Sequence, residues 1–160
     1  MNTEAKTPEF NIDQHLNDVK QQYIKDHFII TTQEMEQHIN KAKKKYVQDY
    51  LVEAFKPIIR GIMDHQRDKL DNNTITEEDT HDYLVALFKP TINGIVENME
   101  KITKEKTIHL YIVASYIDLV MDIEHHLNKA TNYDYLEVGF TNIIENIIEY
   151  LTLIKWGKME

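Results

Sequence analysis

Apolar residues recur along this chain in three- and four-residue steps rather than in alternation, and that spacing predicts helices almost throughout. Residues 1–10 lack the pattern and are expected to form a flexible N-terminal lead. From Asn11 to Asp26, Ile12, Leu16, Val19 and Tyr23 mark one helical face. A short apolar connector, Phe28-Ile29-Ile30, follows, and Thr31-x-x-Glu34 then reads as a capping box that opens a long helix from about Thr32 to Leu70. Asp71 to Ile75 reads as a loop. Thr76-x-x-Asp79, an acidic variant of the same cap, starts a third helix reaching about Lys104, with Glu77 and Glu78 suited to its positive end. A fourth helix is expected over about Thr107–Lys129 and a fifth over about Tyr133–Lys155. The predicted fold class is all-α: a single helical bundle of about five helices, one domain over residues 11–160.

The pattern also repeats on a longer scale. Asp49–Met63 (DYLVEAFKPIIRGIM) and Asp82–Val96 (DYLVALFKPTINGIV) agree at ten of fifteen positions, at an offset of 33 residues. Asp134–Ile148 (DYLEVGFTNIIENII) matches the first at seven. Tyr50, Phe55, Pro57 and Gly61 in the first copy return as Tyr83, Phe88, Pro90 and Gly94 in the second. A repeated segment of this length points to a repeated packing unit. Leu51, Phe55, Ile59 and Ile62 are expected on one stripe, echoed by Leu84, Phe88, Ile92 and Ile95. Each proline removes a helical hydrogen bond, so each long helix is expected to kink there, or to stop near Lys56 and restart. The glycines are expected where two backbones cross, on a pseudo-two-fold axis. Kinked helices could frame a groove lined by the freed carbonyls of Glu53 and Ala86; duplicated core packing is the plainer explanation. The offset resembles the period of tetratricopeptide-like repeats, but the residues do not match that consensus and the step to the third copy breaks the period.

Composition narrows the chemistry. There is no cysteine, which removes disulfides, thiolate catalysis and Cys-bound zinc. The first fifteen residues have no signal-peptide core and no apolar run reaches membrane-spanning length, so the expected location is the cytoplasm. Lysine outnumbers arginine sixteen to two, and Ile and Asn are abundant, a bias associated with AT-rich genomes and the phages and plasmids they host. The net charge of −9 lies wholly in residues 71–160; the first 70 residues are balanced. An acidic half repels phosphate and favours a basic protein surface, so direct nucleic-acid binding is disfavoured.

Several constellations could carry chemistry. Asp68–Asp79 resembles an EF-hand calcium loop, but Leu70 stands where an oxygen ligand is needed, Asn73 replaces the glycine and Asp79 replaces the long bidentate glutamate. His81-Asp82 is an HD dipeptide like that of all-helical hydrolases, with His65 and Asp118 or Asp122 as its nominal partners. The corresponding Asp49 and Asp134 lack the histidine, which favours a fold role. Glu97-x-x-Glu100 is similar to half of the ExxE…ExxD signature of all-helical nucleotide pyrophosphatases; the second half is missing. Asp118, Asp122, His125, Glu145 and Glu149 form an alternative metal set for a bundle hydrolase. Lys41, Lys43, Lys44 and Lys45 form a basic run best read as a solvated helix face. Phosphate loops, nucleophile elbows and HExxH motifs are absent from the sequence.

The function these features favour is non-enzymatic protein binding. The chain reads as a phage- or plasmid-type inhibitor or immunity protein acting on a basic nucleic-acid-processing enzyme, for example an anti-CRISPR-like nuclease inhibitor. It implies no cofactor, no bound metal and no membrane. Glu77, Glu78, Asp79, Asp118, Asp122 and Glu124 are the expected contact residues. The alternatives are the metal-dependent hydrolase and a homodimeric structural protein that uses the repeated motif as its interface.

Overall fold

Among the described residues the chain forms five helices, and side-chain caps start the first three. The structure, a computed structural model, describes residues 8–127, 129 and 132–154. Helix α1 (Ile12–Asp26) begins at Asn11, whose side-chain oxygen accepts from the Gln14 amide at 3.3 Å. Helix α2 (Thr32–Asp71) begins at Thr31, whose hydroxyl accepts from the Glu34 amide at 3.1 Å. Helix α3 (Glu77–Thr103) begins with a complete capping box. The Thr76 hydroxyl accepts from the Asp79 amide and the Asp79 carboxylate accepts from the Thr76 amide, both at 3.0 Å. The Thr76 amide, and after it the Thr76 hydroxyl beside the carboxylate, hold the Asp79 carboxyl below its ordinary range. Thr76→Ala is expected to cost about 1 kcal/mol in urea unfolding, because the Asp79 amide loses the hydroxyl that caps it. Helices α4 (Thr107–Leu127) and α5 (Asp134–Leu153) follow.

Neither proline ends its helix: α2 runs through Pro57 and α3 through Pro90. The segment that resembles a calcium loop is largely helix. Asp68 to Asp71 belong to the last turn of α2, and the Asp79 carboxylate is committed to its cap.

Helices α2, α3, α4 and α5 close a ring in which each packs on the next and α5 returns to α2. Every neighbouring pair is antiparallel. Tyr50 meets Asn98 and His65 meets Thr80 across α2–α3. His81 meets Glu124 and Glu100 meets His109 across α3–α4. Tyr111 stacks on Tyr150 and His126 on Tyr135 across α4–α5, and Tyr135 bonds Gln66 across α5–α2. This is an up-down-up-down four-helix arrangement. At 40 residues α2 is roughly 60 Å long, about twice α4 or α5, so its first half overhangs the ring. Helix α1 covers that overhang: the Asn11 amide donates to the Tyr46 hydroxyl at 2.8 Å and Tyr23 stacks on His38. Of the expected flexible lead, residues 1–7 lie outside the described residues, while Phe10 packs edge-on against Tyr46 and Tyr50.

The core fills from the repeated segments. Phe55, Phe88 and Phe140, one from each, converge: Phe140 lies 5.2 Å from Phe55 and 5.9 Å from Phe88 between ring centroids. Their tyrosines each bond to another helix. Asn98 donates to the Tyr50 hydroxyl at 2.7 Å, Tyr83 donates to the Gly61 carbonyl at 3.0 Å, and Tyr135 donates to Gln66. Burial pushes the Tyr50 and Tyr135 hydroxyls up to about 12. Two expectations need correction. Ile58, not Ile59, is fully buried, because α2 packs on both α3 and α5 and its buried arc turns one residue further round. At Gly61 the close neighbours are side chains rather than a crossing backbone: a Cβ there would lie 2.9 Å from Leu87 Cδ2.

His65 is a buried polar residue in this core, bonded to the Thr80 hydroxyl at 2.9 Å and stacked on Tyr83. Desolvation, assisted by Lys69, pulls its pKa below the ordinary 6.5. The hydrogen bond to Glu124 raises that of His81. A lowered histidine contributes stability above its ordinary pKa and loses it as pH falls toward the folded value; a raised one does the reverse. His81 is open to water and screened, so His65 dominates. The melting temperature is therefore expected to fall between about pH 7.5 and about pH 5.5, and His65→Gln is expected to flatten that fall in calorimetry. An identical slope in the variant would remove His65 as the cause.

Candidate functional site

Helices α4 and α5 together carry seven carboxylates (Asp118, Asp122, Glu124, Asp134, Glu137, Glu145 and Glu149) and not one lysine or arginine. None of the seven is buried. Without a cation on either helix, their fields add outside the molecule instead of cancelling in local pairs. Asp122 and Glu124 pair with histidines, His126 at 3.4 Å and His81, whose charge depends on pH.

The six expected contact residues divide across α4. Asp118 and Asp122 line a cleft of about 460 Å³ between α4 and α5, with Ser115, Asn142 and Asn146 as further polar walls and Leu119, Val138 and Ile143 as apolar ones. The cleft is narrow at its floor because Gly139 lets Leu119 approach: a Cβ at that glycine would lie 2.9 Å from Leu119 Cδ1. Glu77 and Glu124 line a second cleft of about 320 Å³ where the end of α2, the start of α3 and the last turns of α4 meet, with Lys69, Met121 and His125. Glu78 is exposed on the first turn of α3. Asp79 is spent on its cap and is better assigned to the fold than to a contact surface. Neither cleft includes Glu53 or Ala86.

The alternative metal set does not assemble. Among the described residues no group of three or more His, Asp or Glu side chains is placed to hold a metal ion. The antiparallel register explains the dispersal of these five. Glu149 falls beside Tyr111, two turns of α4 before Asp118, while His125 points into the second cleft. The HD grouping is dispersed in the same way: His65 is buried on Thr80, His81 bonds Glu124, and Asp118 and Asp122 sit on the other flank of α4. The lysine run is not a uniformly solvated face, because Lys43 is buried under α1 near Asp13, where desolvation lowers its pKa.

A feature that periodicity did not single out is the outward face of α4. Leu110, Ala114, Ile117 and Met121 are all exposed, and their steps of four, three and four place them on one stripe. The signal was present in the sequence: Leu110, Ala114, Ile117 and Met121 form a second apolar arc, set apart from the arc of Ile112, Leu119 and Ile123 by Asp118 and Asp122 on one side and Glu124 on the other. Among the described residues its main packing partners are α3 and α5. Among the described residues no helix is long and apolar enough to cross a membrane. No known family model matches the chain, and no curated protein or solved structure proves significantly similar to it.

Proposed function

We propose that this chain is a non-enzymatic binding protein whose α4–α5 face engages a basic surface on another protein. The observation that carries the reading is the seven carboxylates of those helices with no lysine or arginine among them. Such a surface raises the encounter rate with a cationic partner and disfavours phosphate. A nucleic-acid-processing enzyme is the natural class of partner, since its substrate channel must itself be basic. Covering that channel makes the chain an inhibitor or immunity protein of the kind mobile elements carry, acting in the cytoplasm.

The repeated motif serves the scaffold in this reading. Its phenylalanines and tyrosines tie the helices together, and bending at Pro57 and Pro90 curves α2 and α3 around the shared core. The test is capture on the immobilised chain from a lysate containing a nucleic-acid-dependent nuclease, washed at low and then high salt. A basic enzyme released by salt and inhibited by the purified chain supports the reading. Capture of nothing where a control inhibitor retains its target overturns it.

A further inference from the structure

Helix α4 presents two kinds of surface at once, and their arrangement specifies what should cover it. Leu110, Ile117 and Met121 are 71%, 49% and 63% exposed, and with Ala114 they make an apolar stripe spanning roughly 16 Å along three turns. Stripes of this kind mark interaction surfaces. One flank opens into the cleft of Asp118 and Asp122, the other into the cleft of Glu77 and Glu124. The apolar ridge thus runs between two recesses that carry carboxylates, the second of them also lined by Lys69 and His125.

We infer that this face seats an amphipathic helix of a partner protein, apolar along one side with lysine or arginine on both margins of that side. Leucine-like side chains at i, i+4, i+7 and i+11 would cover the stripe. The flanking cations would lay their aliphatic stems on the apolar cleft walls and place their charges at the carboxylates. Charge excludes the other candidates for occupant. A second copy would set one predominantly acidic face against another, and an anionic lipid surface or a nucleic acid would be repelled by the same carboxylates. The inference rests on the binding reading above and narrows it from a basic surface to a helix of defined pattern.

The experiment uses the full chain and two labelled peptides of one composition. The first is a lysine–leucine helix with leucines at i, i+4, i+7 and i+11. The second is a scramble that scatters the leucines round the helix. Fluorescence anisotropy is read against the native chain, an Ile117→Ser/Met121→Ser variant, an Asp118→Asn/Asp122→Asn variant, and a control, Phe28→Ser/Ile29→Ser, altered at an exposed apolar site away from α4. All four positions in the apolar variants are exposed, and thermal melts confirm that each variant folds. The expected result is saturable one-to-one binding of the patterned peptide, weakened roughly tenfold or more by the stripe variant and unchanged by the control. Equal binding of patterned and scrambled peptides, weakened only by the Asn variant, would overturn the helix seat while leaving the charge reading standing. Failure of both peptides to bind at low salt would overturn both.

Discussion

Phe88→Ala is expected to lower stability by about 3–5 kcal/mol, the largest effect of any single substitution considered. Phe88 is fully buried on α3, 5.9 Å from Phe140 with parallel rings and 5.3 Å from Tyr116. It therefore bridges α3, α4 and α5 at one level of the ring. Removing it forfeits the transfer energy of a whole aromatic side chain and leaves a cavity whose walls are three different helices, which cannot all collapse inward together. For a chain of this size the loss corresponds to a fall of roughly 6–20 °C in the melting temperature. Phe55→Ala and Phe140→Ala are expected to behave similarly. Phe55 and Phe140 touch, so their double variant should fall short of additivity by about 0.5–1.5 kcal/mol. The built-in control is Phe28→Ala, at a fully exposed phenylalanine, with an expected change within about 0.5 kcal/mol. Calorimetry and urea unfolding read all five variants; a Phe88→Ala melt within a few degrees of the native one would contradict the core described above.

Reversing the charge of Asp118 and Asp122 together is expected to weaken binding to the patterned lysine–leucine peptide by roughly 10- to 100-fold at low salt. Both carboxylates are exposed and line the same cleft, so the change converts an attractive recess into a repulsive one without disturbing the core. Asp122 loses its contact with His126, a pair open enough to water that the melting temperature should hold. The salt dependence should flatten as well, because most of what salt screens at this face has been removed. Association rates and affinities at low and high salt read both effects. Unchanged affinity with an unchanged salt slope would take the α4–α5 cleft out of the binding account.

Local chemistry makes much of the fold legible in the chain itself. The starts of α1, α2 and α3 depend on hydrogen bonds between residues three apart, so Asn11, Thr31 and Thr76 are readable wherever the helices later pack. Charge is also countable along the chain, and the acidic excess after residue 70 points to the half that bears α4 and α5. The distribution of that charge is not readable in the same way. The capping role of Asp79, the pairing of Glu124 with His81, and the separation of Asp118 from Glu77 by the body of α4 all emerge only once the helices are placed. For the same reason the dispersal of Asp118, His125 and Glu149 follows from an antiparallel register that no spacing within one helix can reveal.

By itself, the sequence determined that the chain is helical, where its capped helices begin, and that its second half is acidic, because these follow from backbone bonding a few residues long and from formal charge. Tertiary structure alone decided which apolar residues of α4 are core. In α4, Ile112, Leu119 and Ile123 face the ring while Leu110, Ile117 and Met121 face water, although all six are comparably hydrophobic. Two apolar arcs on one helix do not say which of them is the inner face; packing against α3 and α5 makes that choice, and among the described residues it leaves the other arc exposed.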